Sequence, residues 1–239
     1  MSIKTFKRLE KKYLLTMEQY EELRKRMEPY MTYDEYCPDG ALYSIYNIYY
    51  DTDRYRLIRA SLAKPYYKEK LRLRSYSPLG SEDSPVFLEL KKKVGGIVTK
   101  RRAALSYRDA SDFVSGRRIP TMQTYLDGQV LHEISYFTHQ YPITPAAAIS
   151  YDRAALFGLT DPDFRITFDF HICSQDLRQA SSPLRELLDP GTCLMEVKLT
   201  GAAPLWLAEA FSALHIHPTS FSKYGVMYKQ MCPGAKRPA

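Results

Sequence analysis

The sequence predicts an α+β protein built on antiparallel strands, and three observations predict it. About eight segments carry the period-two alternation or β-rich composition of strands, against five or six with helical signals. The strand segments come in runs joined by short turns, which favours antiparallel neighbours over βαβ crossovers. The 239 residues include 20 tyrosines but only 11 glycines, as in a β-rich core with hydroxyls at its polar edges.

Residues 7–15 alternate, with Arg8, Glu10 and Lys12 on one side and Leu9, Lys11 and Tyr13 on the other. Thr16 then caps a helix that has Glu18 and Gln19 in its first turn and Pro29 near its end. Residues 41–51, ALYSIYNIYYD, read as a strand, and 53–63 as a helix. Three strands follow at 67–76 (YKEKLRLRSY), 85–94 and 97–107. Gly95-Gly96 closes the last two into a tight hairpin. Asp109 or Ser111 caps a short helix ending near Gly116. The region 121–141 is helical, with Leu131, Ile134, Tyr136 and Phe137 as buried positions. Strands resume at 145–158, 163–169 and 192–200, and helices at 204–214, with the lone Trp206, and 222–231 close the chain. No boundary interrupts this series, so residues 1–232 read as one domain and 233–239 as a disordered tail.

The formal charge is +7, from 34 basic and 27 acidic residues, and predicts an anionic partner. No apolar run approaches a membrane span, and the first fifteen residues lack the apolar core of a signal peptide, so a soluble, cytoplasmic protein is expected. Cys37, Cys173, Cys193 and Cys232 are widely spaced and read as inert thiols rather than a zinc site or disulfide frame. His215 and His217 read as a solvated turn.

The arrangement of charge is more informative than its sum. Residues i and i+2 of a strand share a face. That rule groups Glu10 with Lys12, Arg72 with Arg74, Glu89 with Lys91, Lys100 with Arg102, Arg165 with Thr167 and Asp169, and Glu196 with Lys198. Arg153 stands alone between Tyr151 and Ala155. The opposite faces are apolar: Leu71 and Leu73, Leu88 and Leu90, Ile166 and Phe168, Val197 and Leu199. Lys92 points away from its lysine neighbours, towards solvent. Two arrangements satisfy the pattern. One is a sheet with its polar face in water. The other is a sheet closed into a barrel of about eight strands whose charged interior takes an anion and a divalent cation. Nucleic acid is the weaker fit, because the bases stand beside carboxylates rather than in a stripe interleaved with aromatics.

The ordered set Glu10-x-Lys12-Tyr13, LRLR at 71–74, LELKKK at 88–93, YDR at 151–153, RITFD at 165–169, MEVKL at 195–199 and FSKYGVMY at 221–228 resembles the VTC domain. That is the catalytic domain of the polyphosphate polymerase of vacuolar transporter chaperone complexes, in the triphosphate tunnel metalloenzyme superfamily, and it also has soluble bacterial relatives. The resemblance covers about residues 6–231. It implies an antiparallel eight-stranded barrel forming a tunnel, with helices outside. It also implies triphosphate or polyphosphate held by Lys12, Arg72, Arg74, Lys91, Lys100, Arg102, Arg153, Arg165, Lys198 and Lys223. Mn²⁺ or Mg²⁺ is implied at Glu196, with Glu10 and Glu89 as further ligands or ion-pair partners; Tyr224 is packing.

The expected reaction passes the γ-phosphoryl of ATP to orthophosphate, pyrophosphate or a growing polyphosphate end. Lys12, Arg72, Arg74, Lys91, Arg153, Arg165 and Glu196 form its catalytic set. Hydrolysis of triphosphate or a nucleoside triphosphate, and phosphate-chain binding without catalysis, are the alternatives. Eukaryotic polymerase subunits add an inositol-phosphate-sensing domain and membrane helices. Neither is seen here, so translocation would need a membrane protein as partner.

Overall fold

The computed structural model describes residues 9–121 and 124–232. The expected tail at 233–239 and the first residues of the opening strand lie outside the described residues. In order, the elements are β1 (Leu9–Thr16), α1 (Met17–Met27), β2 (Met31–Tyr33), β3 (Tyr43–Thr52), α2 (Arg56–Leu62), β4 (Tyr67–Ser75), β5 (Pro85–Val94), β6 (Ile97–Ser106), α3 (Tyr107–Val114) and α4 (Tyr125–Gln140). They continue with β7 (Ile143–Gly158), β8 (Arg165–Asp176), β9 (Arg185–Glu186), β10 (Thr192–Leu199), α5 (Leu205–Ala213), β11 (Pro218–Thr219) and α6 (Lys223–Met231).

The α+β class and the antiparallel pairing hold, but the closed eight-stranded barrel does not. Among the described residues the sheet has 11 strands, and its path runs β11-β1-β10-β8-β7-β3-β4-β5-β6, with β2 on β7 and β9 on β8. The path is open, ending at β11 and at β6. The additional strands β2, β9 and β11 are two or three residues long, too short to display any alternation.

The chain divides into two compact units. Unit one holds residues 1–44, 151–172 and 186–222, and unit two holds 45–150, 173–185 and 223–239.

In unit one, β1 pairs with β10 and β10 with β8. Their apolar faces bury Tyr13, Leu15, Ile166, Phe168, Met195 and Val197 against Leu23 and Met27 of α1 and Leu207 and Ala210 of α5. Thr16 caps α1 as the sequence predicts. Its hydroxyl accepts the Gln19 amide N–H, and the Gln19 side chain returns a bond to the Thr16 N–H, a complete capping box. Trp206 packs flat on Tyr30, with ring centroids 4.5 Å apart.

In unit two, β4, β5 and β6 form an antiparallel meander. Leu71, Leu73, Leu88, Leu90 and Ala103 face Ala110 and Phe113 of α3 and Leu131, Ile134 and Phe137 of α4. Each such leucine contributes about 1.5–3 kcal/mol of apolar transfer. Gly95 and Gly96 both have positive φ, +53° and +91°, the conformation a two-residue hairpin turn requires. Three expectations are revised. The cap of α3 is Ser106, whose hydroxyl accepts from Asp109 N. α2 starts only at Arg56, behind Tyr55 in the left-handed region. Tyr136, expected in the core, is 71% exposed, because it lies off the buried face that Val130, Ile134 and Phe137 define on α4.

Asp51 ties β3 to two helices. Its fully buried carboxylate accepts the backbone N–H groups of Thr52, Leu57 and Ile58 and the Tyr224 hydroxyl. The Tyr224 ring also stacks on Tyr49 at 5.0 Å, so Tyr224 is a packing residue. Asp51→Ala is expected to lower stability by about 3–5 kcal/mol, because several donors lose one buried acceptor. Tyr224→Phe should cost only about 1 kcal/mol. Urea unfolding of the two variants checks the ordering.

Candidate functional site

On β4, β5 and β6 the antiparallel register places charges in rows. Arg72, Glu89 and Arg102 stand directly opposite one another, Lys70, Lys91 and Lys100 form the next row, and Lys68 and Lys93 the one beyond. Arg74 and Phe87 form the row on the other side. One face thus carries eight basic side chains around one acid, while the reverse face is apolar core up to Leu71 and Leu90 and polar at Arg101, Glu69, Lys92 and Thr99. The pairing expected of Glu89 with Lys91 and of Lys100 with Arg102 is present in this register.

Glu89 is 1% exposed and holds the centre of that face. Arg72 Nε donates to its Oε2 at 2.6 Å, Lys100 Nζ to its Oε1 at 3.1 Å, and Arg74 Nε lies 4.0 Å away. Arg74 also donates to Asn47 Oδ1 at 3.2 Å, and Arg72 Nη1 to the Tyr49 hydroxyl at 3.4 Å. The Arg102 guanidinium lies over the Phe87 ring at 4.6 Å. Burial would raise the Glu89 pKa, but Arg72, Arg74 and Lys100 overrule it and bring it to about 2. Lys100 is lowered, by burial first and then by Arg72 and Arg74, with Glu89 offsetting part of the effect. Both Glu89 oxygens are engaged by cations, and among the described residues no group of three or more His, Cys, Asp or Glu includes it, which fits the ion-pair partner expected as one alternative.

Unit one carries a second charged set. Lys12, Glu196 and Thr167 form one cross-strand row on β1, β10 and β8, and Glu10, Lys198 and Arg165 form the next. Lys198 Nζ is 2.7 Å from Glu196 Oε1, and Lys12 Nζ is 3.4 Å from Oε2 and 3.6 Å from Glu10 Oε1. Burial pushes the Glu196 pKa up. Lys198, Lys12 and Arg153 outweigh it and hold the carboxyl well below its ordinary range. Thr167 Oγ1, one strand across from Glu196, is buried without a hydrogen-bond partner, as is Arg165 Nε.

Arg153 is not the isolated cation its sequence neighbours imply. It makes two bonds to Asp169, Nε–Oδ1 at 2.6 Å and Nη2–Oδ2 at 2.8 Å, and it lies over Tyr151 at 5.2 Å. Arg165 Nη2 bonds Asp34 Oδ2 at 3.1 Å, with the Phe157 ring 4.7 Å beneath the guanidinium. The sequence-predicted residues therefore fall into two groups. Lys12, Arg153, Arg165, Glu196, Lys198 and Glu10 are in unit one, and Arg72, Arg74, Lys91, Lys100, Arg102 and Glu89 share one face of unit two. Lys223 opens α6 in unit two, next to Tyr224. Sequence reasoning missed Asp34, Asn47, Tyr49, Lys68, Lys70 and Lys93. The last three were available: Lys68 and Lys70 continue the Arg72–Arg74 alternation, and Lys93 continues that of Glu89 and Lys91. Lys92 points the other way, as expected, and there meets Glu133 of α4 at 3.2 Å rather than open solvent.

Among the described residues no group of three or more His, Cys, Asp or Glu side chains is placed to hold a metal. A Mg²⁺ or Mn²⁺ ion that shares substrate phosphates needs only one or two carboxylates. Glu196 with Glu10, beside the unpartnered Thr167 hydroxyl, fits that requirement.

Because the pKa of Glu89 is lower folded than unfolded, its stabilising contribution is full above about pH 4.5 and is lost as the pH falls towards 2. It amounts to about 3 kcal/mol. Glu89→Gln should flatten this acid limb of the stability profile. At neutral pH it should cost about 3 kcal/mol, since the surrounding cations lose their counter-charge. Urea midpoints across this pH range for both proteins make the comparison.

A Bacillus halodurans protein solved as a "putative adenylate cyclase" shares the fold, with a TM-score of 0.53 at 16% identity over 90% of this chain and 95% of that one. A Vibrio parahaemolyticus protein of the same description aligns at 12% identity and a TM-score of 0.46, over 94% and 98% of the two chains. No curated protein matches the chain. The family profile of the VTC domain matches residues 7–232, nearly the whole length and every charged row described above. The chain belongs to the VTC-domain family.

Proposed function

We propose that this protein is a polyphosphate polymerase that transfers the γ-phosphoryl group of ATP to the end of a phosphate chain, releasing ADP. The observation that carries this reading is the basic face of β4–β6, with eight cationic side chains around the single acid Glu89. Membership in the VTC-domain family supports it. A surface that gathers so much like charge is suited to a linear polyanion, which supplies the balancing charge along its length.

Phosphoryl transfer asks the protein mainly for positioning and charge neutralisation. Arg72 and Arg74 present planar guanidinium forks, each able to hold two phosphate oxygens. Glu89 and Asn47 fix the orientation of those forks. Lys91 and Lys100 supply point charge in the next row. In unit one, Asp169 holds Arg153 and Asp34 holds Arg165, which limits the side-chain freedom lost when phosphate binds. Lys12 and Lys198 keep Glu196 ionised. Glu196 with Glu10 would hold Mn²⁺ or Mg²⁺, which would supply charge neutralisation to the transferring phosphoryl group. The acceptor oxygen belongs to orthophosphate, pyrophosphate or the chain end, so no side-chain nucleophile is needed. The bond formed is from the γ-phosphorus to that oxygen, and the bond broken joins it to the β–γ bridging oxygen, which leaves on ADP.

Incubation with γ-labelled ATP and Mn²⁺, with and without short polyphosphate, should give a ladder of lengthening chains on a gel. Free phosphate without a ladder would move the assignment to a triphosphatase. Neither product, with tight chain binding, would leave a binding module. Glu196→Gln should reduce turnover by about 10²–10³-fold while polyphosphate binding persists. The same change should weaken Mn²⁺ binding measured calorimetrically without nucleotide. Arg72→Ala or Arg165→Ala should weaken chain binding itself by about 2–4 kcal/mol. Full activity in all three variants would sink the assignment.

A further inference from the structure

The β5–β6 hairpin does not end where its helical cover ends. Beyond the leucines, a polar row of Glu69, Lys92 and Thr99 closes off the core, and past it a last row of Tyr67, Val94 and Ile97 reaches the hairpin turn with its side chains 46%, 41% and 50% exposed. Tyr136 of α4, 71% exposed, lies within electrostatic range of Tyr67, whose hydroxyl donates to Glu69 Oε2 at 2.7 Å. Tyr66, 77% exposed, packs its ring against Gly95, whose N–H donates to the Tyr66 carbonyl at 2.9 Å. A side chain at Gly95 would meet that ring at 3.0 Å, so the glycine lets the tyrosine sit on the turn. The other face of the same tip is cationic. Lys68 stands opposite Lys93, and Lys91 opposite Lys100. The Lys68 pKa is lowered by burial and by Lys93, Lys64 and Lys91, which marks a local excess of positive charge.

A tip with an exposed aromatic and aliphatic face and a lysine-rich reverse is amphipathic in the sense that matters at a bilayer surface. Tyrosine rings favour the headgroup boundary, branched aliphatics enter it, and lysine stems reach anionic headgroups from beside it. We propose that this hairpin tip docks the protein on an anionic lipid surface. The inference goes beyond the polymerase reading and does not depend on it. Charge selects the occupant. A second copy would bring the same lysines against these, and like charges disfavour that pairing. A phosphate chain would satisfy the lysines but leave the Tyr67–Val94–Ile97 face in water. An anionic bilayer meets both faces. Among the described residues no helix is long and apolar enough to cross a membrane, so the contact would be peripheral.

Flotation with vesicles of phosphatidylcholine alone, and of phosphatidylcholine mixed with phosphatidylglycerol, tests this on the full chain. The protein should float with the mixed vesicles only, and added salt should weaken the binding. Ile97→Asp and, separately, Tyr136→Glu should each lower the bound fraction by about tenfold with unchanged melting temperature. Both variants keep every phosphate-facing base, so polyphosphate binding should match the wild type. The two readings can therefore fail separately. No flotation with anionic vesicles would overturn the proposal. Equal flotation of wild type and both variants would overturn it too, since the basic face alone would then be binding headgroups. Concentration-dependent self-association that these variants abolish, with no flotation, would assign the tip to protein contact instead.

Discussion

Like charge on neighbouring strands is the constraint around which the charged faces of this protein are organised. Directly opposed side chains on an antiparallel pair have Cβ atoms about 5 Å apart. The charged ends splay further apart, and at about 8 Å two unit charges at the effective dielectric of a half-buried site still repel by about 2 kcal/mol. The β4–β6 face stacks several such pairs, yet only one acid, Glu89, stands among them. It is placed where one carboxylate does most, with Arg72, Arg74 and Lys100 all within 4.0 Å. The remaining cost is offset on the reverse face, where Leu71, Leu73, Leu88 and Leu90 are essentially inaccessible to solvent. The apolar core holds in place an arrangement of charges that would otherwise separate.

The two acidic centres use opposite versions of this device. Glu89 has arginines as its nearest partners on one oxygen and a lysine on the other. Planar forks in a fixed register leave it as a counter-charge and an orienting group. Glu196 is contacted by two lysines, with Glu10 sharing one of them. Lysine is a compact charge on a flexible stem and is the more easily displaced. The unpartnered Thr167 hydroxyl lies one strand across. That difference in partners, more than any difference in burial, is why we read Glu89 as an ion-pair partner and propose Glu196 as the metal ligand.

Much of this was legible in the sequence because period-two alternation is a local property. Leu88 and Leu90 against Glu89 and Lys91 need no knowledge of any other strand, and Gly95-Gly96 sets the β5–β6 register by itself. The partners of Arg153 and Arg165 were not legible. Asp169 comes from β8, and Asp34 from the segment after β2, 131 positions before Arg165. Only three-dimensional pairing brings them together. β2, β9 and β11 carry too few residues for any periodicity, which is why the eight-strand count fell short; the barrel was expected to close because the one-faced charged pairs and the family resemblance both implied an enclosed interior. The cap of α3 was misplaced because Ser106 and Asp109 are both good capping residues. The structure uses both, as Ser106 accepts the Asp109 N–H and donates its hydroxyl to the Asp109 carboxylate.

An under-neutralised basic face also determines what binding does to the fold. A ligand that binds only the folded state stabilises it in proportion to the logarithm of its concentration over its dissociation constant. Here such a ligand would also remove repulsion already present in the unliganded protein. A phosphate chain along the Lys68 and Lys70 rows would therefore add negative charge where the register sets lysine against lysine. Part of its affinity would come from relief of lysine–lysine repulsion rather than from any new contact. That contribution is electrostatic and screened by salt, whereas the arginine forks fixed by Glu89 and Asn47 act at short range and depend on geometry. On the polymerase reading, the same face would combine a salt-sensitive attraction for any polyanion with a salt-resistant preference for one that presents paired oxygens to Arg72 and Arg74.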